Sequence, residues 1–214
     1  EIALSNGDLD TAERAGVRIL DQLGTDSIDL ARLRPGELRA MIVGLELLAC
    51  VRRELSDFVS CAELHQRALT ALDMVPAGAD RDQLCLAALL RLGEALRLLG
   101  HFPEAEELLR RAAHLVDAHH PPDPINRAMA LNALGLVFKE TQRFDQAGQH
   151  YQQALALLER TLGAADLELA PLYHNVAGLE HAQDQFVQGE PLARRALELR
   201  EAHESLETTG AAAD

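Results

Sequence analysis

The chain has 214 residues, 48% of them hydrophobic but only 3% aromatic with no Trp, so its core must be built mainly from Leu and Ala. Acidic residues number 34 against 20 basic, a formal charge of −14, which repels phosphate backbones and anionic bilayers and argues against nucleic-acid or membrane partners. Three cysteines, Cys50, Cys61 and Cys85, form no CxxC pair and are odd in number, which argues against a disulfide framework and fits a reducing, cytoplasmic setting.

In chain order, Glu1 to Asn6 reads as the end of a helix, broken at Gly7, with Asp8 or Asp10 as the cap of the next. That helix carries an apolar stripe at Leu9, Ala12, Gly16, Ile19, Leu20 and Leu23. It is expected to bury this stripe under further sequence, a loop or a second copy of the chain. A chain opening on Glu1 instead of Met reads as a piece of a longer protein. Gly24 to Gly36 is the longest irregular connection, with Pro35-Gly36 as a breaker. Helices follow over about residues 37–55 and 57–74, then the loop Pro76-Ala-Gly-Ala-Asp80.

Beyond this loop the sequence repeats itself. Gly135−Gly93, Phe144−Phe102, Ala147−Ala105 and Ala154−Ala112 all equal 42. Adding 42 again lands on Ala177, Phe186, Gly189 and Ala196. The earlier pair fits at an offset of 44, where Phe58 meets Phe102, Cys61 meets Ala105 and Ala68 meets Ala112. A fixed period in this range marks stacked units, none able to bury its apolar stripe alone. In each unit a first helix carries apolar residues at helical spacing, as in Leu89, Leu92, Gly93 and Leu96. The second helix starts at the phenylalanine, and a small residue follows three positions later. The chain therefore divides into residues 1–36 (a partial repeat and linker), 37–80, 81–122, 123–165 and 166–206, with an aperiodic tail over 207–214. Glu180 stands at the position of Phe138, and Pro191 lies in the first turns of the last helix, which points to a looser or bent final repeat.

The set Leu131, Leu134-Gly135, Phe138, Ala147, Tyr151 and Ala154 resembles the tetratricopeptide repeat. The 42-residue spacing, Leu131-Asn132-Ala133-Leu134-Gly135 and Tyr173-His174-Asn175-Val176-Ala177 are similar to the long-helix variety found in kinesin light chains and many bacterial proteins. The resemblance implies an all-α, right-handed superhelical solenoid of antiparallel helix pairs. It also implies that the first helix of each pair lines a ligand groove. Positions on one face by i, i+4, i+7 spacing then read Glu46, Cys50, Arg53; Leu90, Glu94, Arg97; Asn132, Leu136, Lys139; His174, Gly178, His181.

The last members, Arg53, Arg97, Lys139 and His181, form a cationic ladder, and Lys139 is the only lysine in the chain. The ladder admits two readings: a row that meets acidic groups on a peptide, or cations placed at helix C-termini by the macrodipole. Asn132 and Asn175 match family positions that bond a peptide backbone, since an amide offers both donors and an acceptor; the other reading is an interhelical polar contact. His119-His120 and His174 with His181 are the only close histidine sets, and neither makes a three-ligand metal site. No GxSxG, P-loop or HExxH occurs, and Cys61 falls at a small packing position. The expected function is a non-catalytic, cofactor-free scaffold that binds a protein or peptide through Arg53, Arg97, Asn132, Lys139, His174, Asn175 and His181. Self-association through the truncated ends is a further possibility. The alternative is the regulatory or sensor arm of a larger signalling protein, such as a bacterial transcription activator or nucleotide-driven switch.

Overall fold

The computed structural model describes residues 6–23, 30–118 and 123–211. Helices joined by turns and short loops account for them, with no strand among the described residues. The helices are α1 (Asn6–Leu23), α2 (Pro35–Glu54), α3 (Phe58–Asp73), α4 (Ala79–Leu98), α5 (Phe102–Ala118), α6 (Pro124–Glu140), α7 (Phe144–Leu162), α8 (Ala170–Ala182) and α9 (Phe186–Ala211). Short 3-10 turns lie at Leu30–Arg32 and Leu167–Leu169.

Every second helix begins at the repeated phenylalanine: Phe58, Phe102, Phe144 and Phe186. The turn before it is the same each time. Ser56, Gly100, Gln142 and Asp184 all take φ between 58° and 79°, though only one is a glycine. These four positions differ by 44, 42 and 42, so a left-handed turn residue is part of the repeat. The small residues three positions into the second helix are buried: Cys61 at 1% exposure, Ala105 and Ala147 at 0%.

The chain divides into two compact units, Glu1–Leu115 and Val116–Asp214. In the first, α1 packs on α2, α2 on α3 and α3 on α4. Gly16 and Gly44 set the approach of α1 to α2. A Cβ on Gly16 would stand 2.8 Å from Leu48 Cγ and 3.0 Å from the Gly44 carbonyl oxygen. Leu20 is buried there, and Ile19 lies against Gly44. The stripe expected to need a cover from elsewhere is thus covered in part by α2. In the second unit α6 packs on α7 and α8 on α9, with α7 also meeting α8.

One register recurs inside the hairpins. A Cβ on Gly93 would stand 2.7 Å from Leu109 Cδ2, and one on Gly135 would stand 2.6 Å from Tyr151 Cδ1. Leu109 and Tyr151 are both fully buried, so each glycine makes room for a large side chain across its pair.

Three boundaries differ from the sequence reading. Gly7 does not break the chain; α1 starts at Asn6, and Asp8 sits in the first turn, where a carboxylate favours the helix dipole. Pro35-Gly36 opens α2, because proline at the first helical position loses only an N–H that has no intrahelical partner. Glu37 completes that start by accepting from the Arg34 backbone N–H at 2.8 Å. α9 runs through Pro191 and on to Ala211, inside the stretch read as a tail, since only Gly210 interrupts a run of helix-compatible residues after Pro191.

Candidate functional site

The first helices of the pairs are α2, α4, α6 and α8. In the second unit, α6 and α8 bring two of the expected site residues together. Asn175 Nδ2 donates to Asn132 Oδ1 at 2.8 Å, the interhelical contact weighed above. That bond uses one donor and one acceptor, and each amide has further capacity. Two turns along α6, Lys139 is half-buried, and its Nζ lies 3.5 Å from where a Cβ on Gly178 of α8 would stand. Among the described residues Lys139 forms no ion pair. His174 and His181 are exposed on α8. The His181 ring stands edge-on to Phe186, with centroids 4.9 Å apart. Met129, 52% exposed, and the exposed Pro171 stand three residues before Asn132 and His174, on the same helical faces. The charge-led sequence reading missed this apolar margin, although the i−3 spacing would have found it.

In the first unit the equivalent side chains are engaged within the chain. Arg53 is half-buried and pairs with Glu54 Oε1 at 2.8 Å, and Arg97 is half-buried on α4. Glu46 accepts from His65 Nδ1 of α3 at 2.9 Å and forms an ion pair with Arg91 of α4. His65 is 2% exposed and the buried polar residue of this core. Burial alone would raise the Glu46 carboxyl, but the His65 hydrogen bond and the His65 and Arg91 charges hold it below its ordinary range.

The two polar contacts occupy one slot of the repeat. Arg91−Glu46 is 45, the local period of 44 plus one, and Asn175−Asn132 is 43, the period of 42 plus one. A first-helix residue therefore meets the next first helix one residue further along, as an ion pair in one unit and an amide pair in the other.

Cys61 lies at a packing position, and burial pushes its thiol up to about 11, which leaves little nucleophilic thiolate at neutral pH. Among the described residues no cluster of three His, Cys, Asp or Glu is placed to hold a metal, and no helix is long and apolar enough to cross a membrane. The pair His119-His120 lies outside the described residues.

Two sequence models described as Tetratricopeptide repeat match residues 85–116 and 126–202. No curated relative matches the chain. Among solved structures, BtubC (BKLC) from P. vanneervenii is 21% identical with a TM-score of 0.69, over 94% of this chain and 75% of that one. A Podosopora anserina protein, described as a kinesin light chain with nearly identical TPR-like repeats, is 16% identical with a TM-score of 0.67, over 94% and 90% of the two chains. PlcR of Bacillus thuringiensis, in complex with the peptide PapR7 and DNA, is 11% identical with a TM-score of 0.68, over 95% and 68%. At these identities the likeness is one of fold.

Proposed function

Since the chain belongs to the tetratricopeptide repeat proteins, we propose that it is a non-catalytic interaction scaffold that binds an acidic peptide or protein segment across α6 and α8. The observation that carries this reading is the α6–α8 face itself. A bonded Asn132–Asn175 amide pair, an ammonium at Lys139 without an ion pair among the described residues, and an apolar margin at Met129 and Pro171 share it. The amides suit a peptide backbone whatever its sequence, and the ammonium suits a carboxylate. In this reading Arg53 and Arg97, half-buried in the first unit, contribute little, while His174 and His181 flank the site. The repeats are taken as residues 37–80, 81–122, 123–165 and 166–206.

A peptide array of acidic, neutral and basic ten-residue segments, probed with the full chain and with Lys139→Ala and Asn132→Ala, tests the proposal. Acidic segments should be retained preferentially, and Lys139→Ala should weaken them by about 1–3 kcal/mol, with the loss shrinking as salt screens the pair. Equal retention of basic segments, or unchanged binding by both variants, would place the site elsewhere. The second reading, a regulatory arm of a larger protein, draws on the fold shared with PlcR, which was solved with a peptide and DNA.

A further inference from the structure

The middle position of the first-helix face reads Cys50, Glu94, Leu136 and Gly178 in successive repeats. Gly178 stands in mid-helix, nine residues into α8, where glycine is disfavoured relative to alanine. Gly93 and Gly135 of the first helices are explained by packing: a Cβ on either would collide with buried Leu109 or Tyr151. Gly178 differs. Among the described residues, apart from its chain neighbours and its own helix backbone, the one heavy atom within 4 Å of its absent side chain is Lys139 Nζ, at 3.5 Å. Packing therefore leaves room for alanine there, and what any larger side chain would occupy is the space beside an ammonium.

In the repeat register, the first unit carries an acid at the equivalent position. The register partner of Arg53 is Glu94, since 97−53 is 44 and Glu94 holds the position of Gly178, so a carboxylate follows that cation in the repeat. At Lys139 that register position is Gly178, and among the described residues no acid pairs with the ammonium. We infer that Gly178 is the specificity-determining residue of the α6–α8 face: it keeps open, beside Lys139, the seat into which the partner's carboxylate side chain enters. This rests on the peptide-binding reading and adds to it a residue that does not itself touch charge. An acidic or bulky side chain at position 178 would close the seat, while a methyl would not, because 3.5 Å is ordinary contact.

The test uses the full chain and a fluorescein-labelled peptide of alternating Glu and Ala, with binding read by anisotropy. Because Lys139 is the only lysine, its acylation by an N-hydroxysuccinimide ester, read by mass spectrometry, reports on the seat directly. Wild type should bind, and bound peptide should protect its Lys139 from acylation. Gly178→Leu and Gly178→Glu should bind about tenfold more weakly, or worse, and lose that protection. Gly178→Glu reproduces the residue at Glu94 and favours the helix, so it keeps the test decisive should the leucine variant misfold. Binding and protection by Gly178→Glu equal to wild type, with Lys139→Ala impaired, would overturn the inference and leave the peptide-binding reading intact. Binding by Lys139→Ala equal to wild type would overturn that reading as well.

Discussion

Substituting Gly135 by alanine tests whether the hairpins are held at a distance set by glycine. The new Cβ would lie 2.6 Å from Tyr151 Cδ1 and 3.0 Å from its Cζ, about 1 Å inside ordinary carbon contact. Tyr151 is 0% exposed, and an aromatic ring cannot bend away as an aliphatic tip can. Overpacking of this kind costs about 1–3 kcal/mol, and the rigid ring places it near the upper end. Alanine returns about 1 kcal/mol of helix propensity. The net loss should be about 2 kcal/mol, or roughly 4–8 °C in Tm for a chain of this size. Gly178→Ala meets no such obstacle and should gain about 1 kcal/mol from propensity alone. The last repeat supplies the compensating pair, because Ala177 and Ala193 stand where Gly135 and Tyr151 stand. Tyr151→Ala alone should cost about 3–5 kcal/mol, yet the double variant Gly135→Ala, Tyr151→Ala should cost about 3 kcal/mol less than the sum, since the methyl enters vacated space and the clash is gone. Guanidinium denaturation followed by circular dichroism, with calorimetric Tm, measures all four. A Gly135→Ala protein as stable as wild type, or a strictly additive double variant, would refute the close-approach argument.

Gln142→Gly should stabilise the α6–α7 hairpin by about 0.5–1 kcal/mol and Gly100→Ala should destabilise the α4–α5 hairpin by about 1 kcal/mol, because both turn positions have φ near +60° to +80°; chemical denaturation would show either sign reversed. Glu46 has a folded pKa below the ordinary 4.5, so its stabilising contribution is full above that pH and is lost as pH falls through the range beneath it. The stability advantage of wild type over Glu46→Gln should therefore shrink as the pH is taken from 7 to below 4, and a constant difference across that range would count against the His65–Glu46–Arg91 contact. Cys61, with its thiol pushed up to about 11 and 1% exposed, should resist iodoacetamide at pH 8 until the protein is unfolded; native labelling at Cys61 as fast as in the unfolded chain would contradict its burial.

The period of 42, the paired helices and the phenylalanine at each second-helix start were legible in the chain because they are local: apolar spacing, small residues and turn formers act within a few residues. So was the resemblance that Leu134-Gly135, Ala147 and Tyr151 carry. Helix ends were less legible where a residue's effect depends on its place, as with Pro35 at the first position of α2 and Pro191 inside α9. The site divides the same way. Spacing placed Arg53, Arg97, Lys139 and His181 at one register, and Asn132 and Asn175 at neighbouring positions of the first helices. Only tertiary structure decided that Arg53 pairs with Glu54, that Glu46 is drawn to His65 and Arg91, and that the two asparagines bond each other. Those outcomes depend on how one repeat is offset against the next, a shift of one residue between neighbouring first helices. A single repeat's sequence does not contain that offset, because it arises from how small and large side chains interlock across the pair. The same packing, in setting Lys139 against a glycine of the next first helix, α8, distinguishes the chain's one lysine from the guanidinium cations in its row.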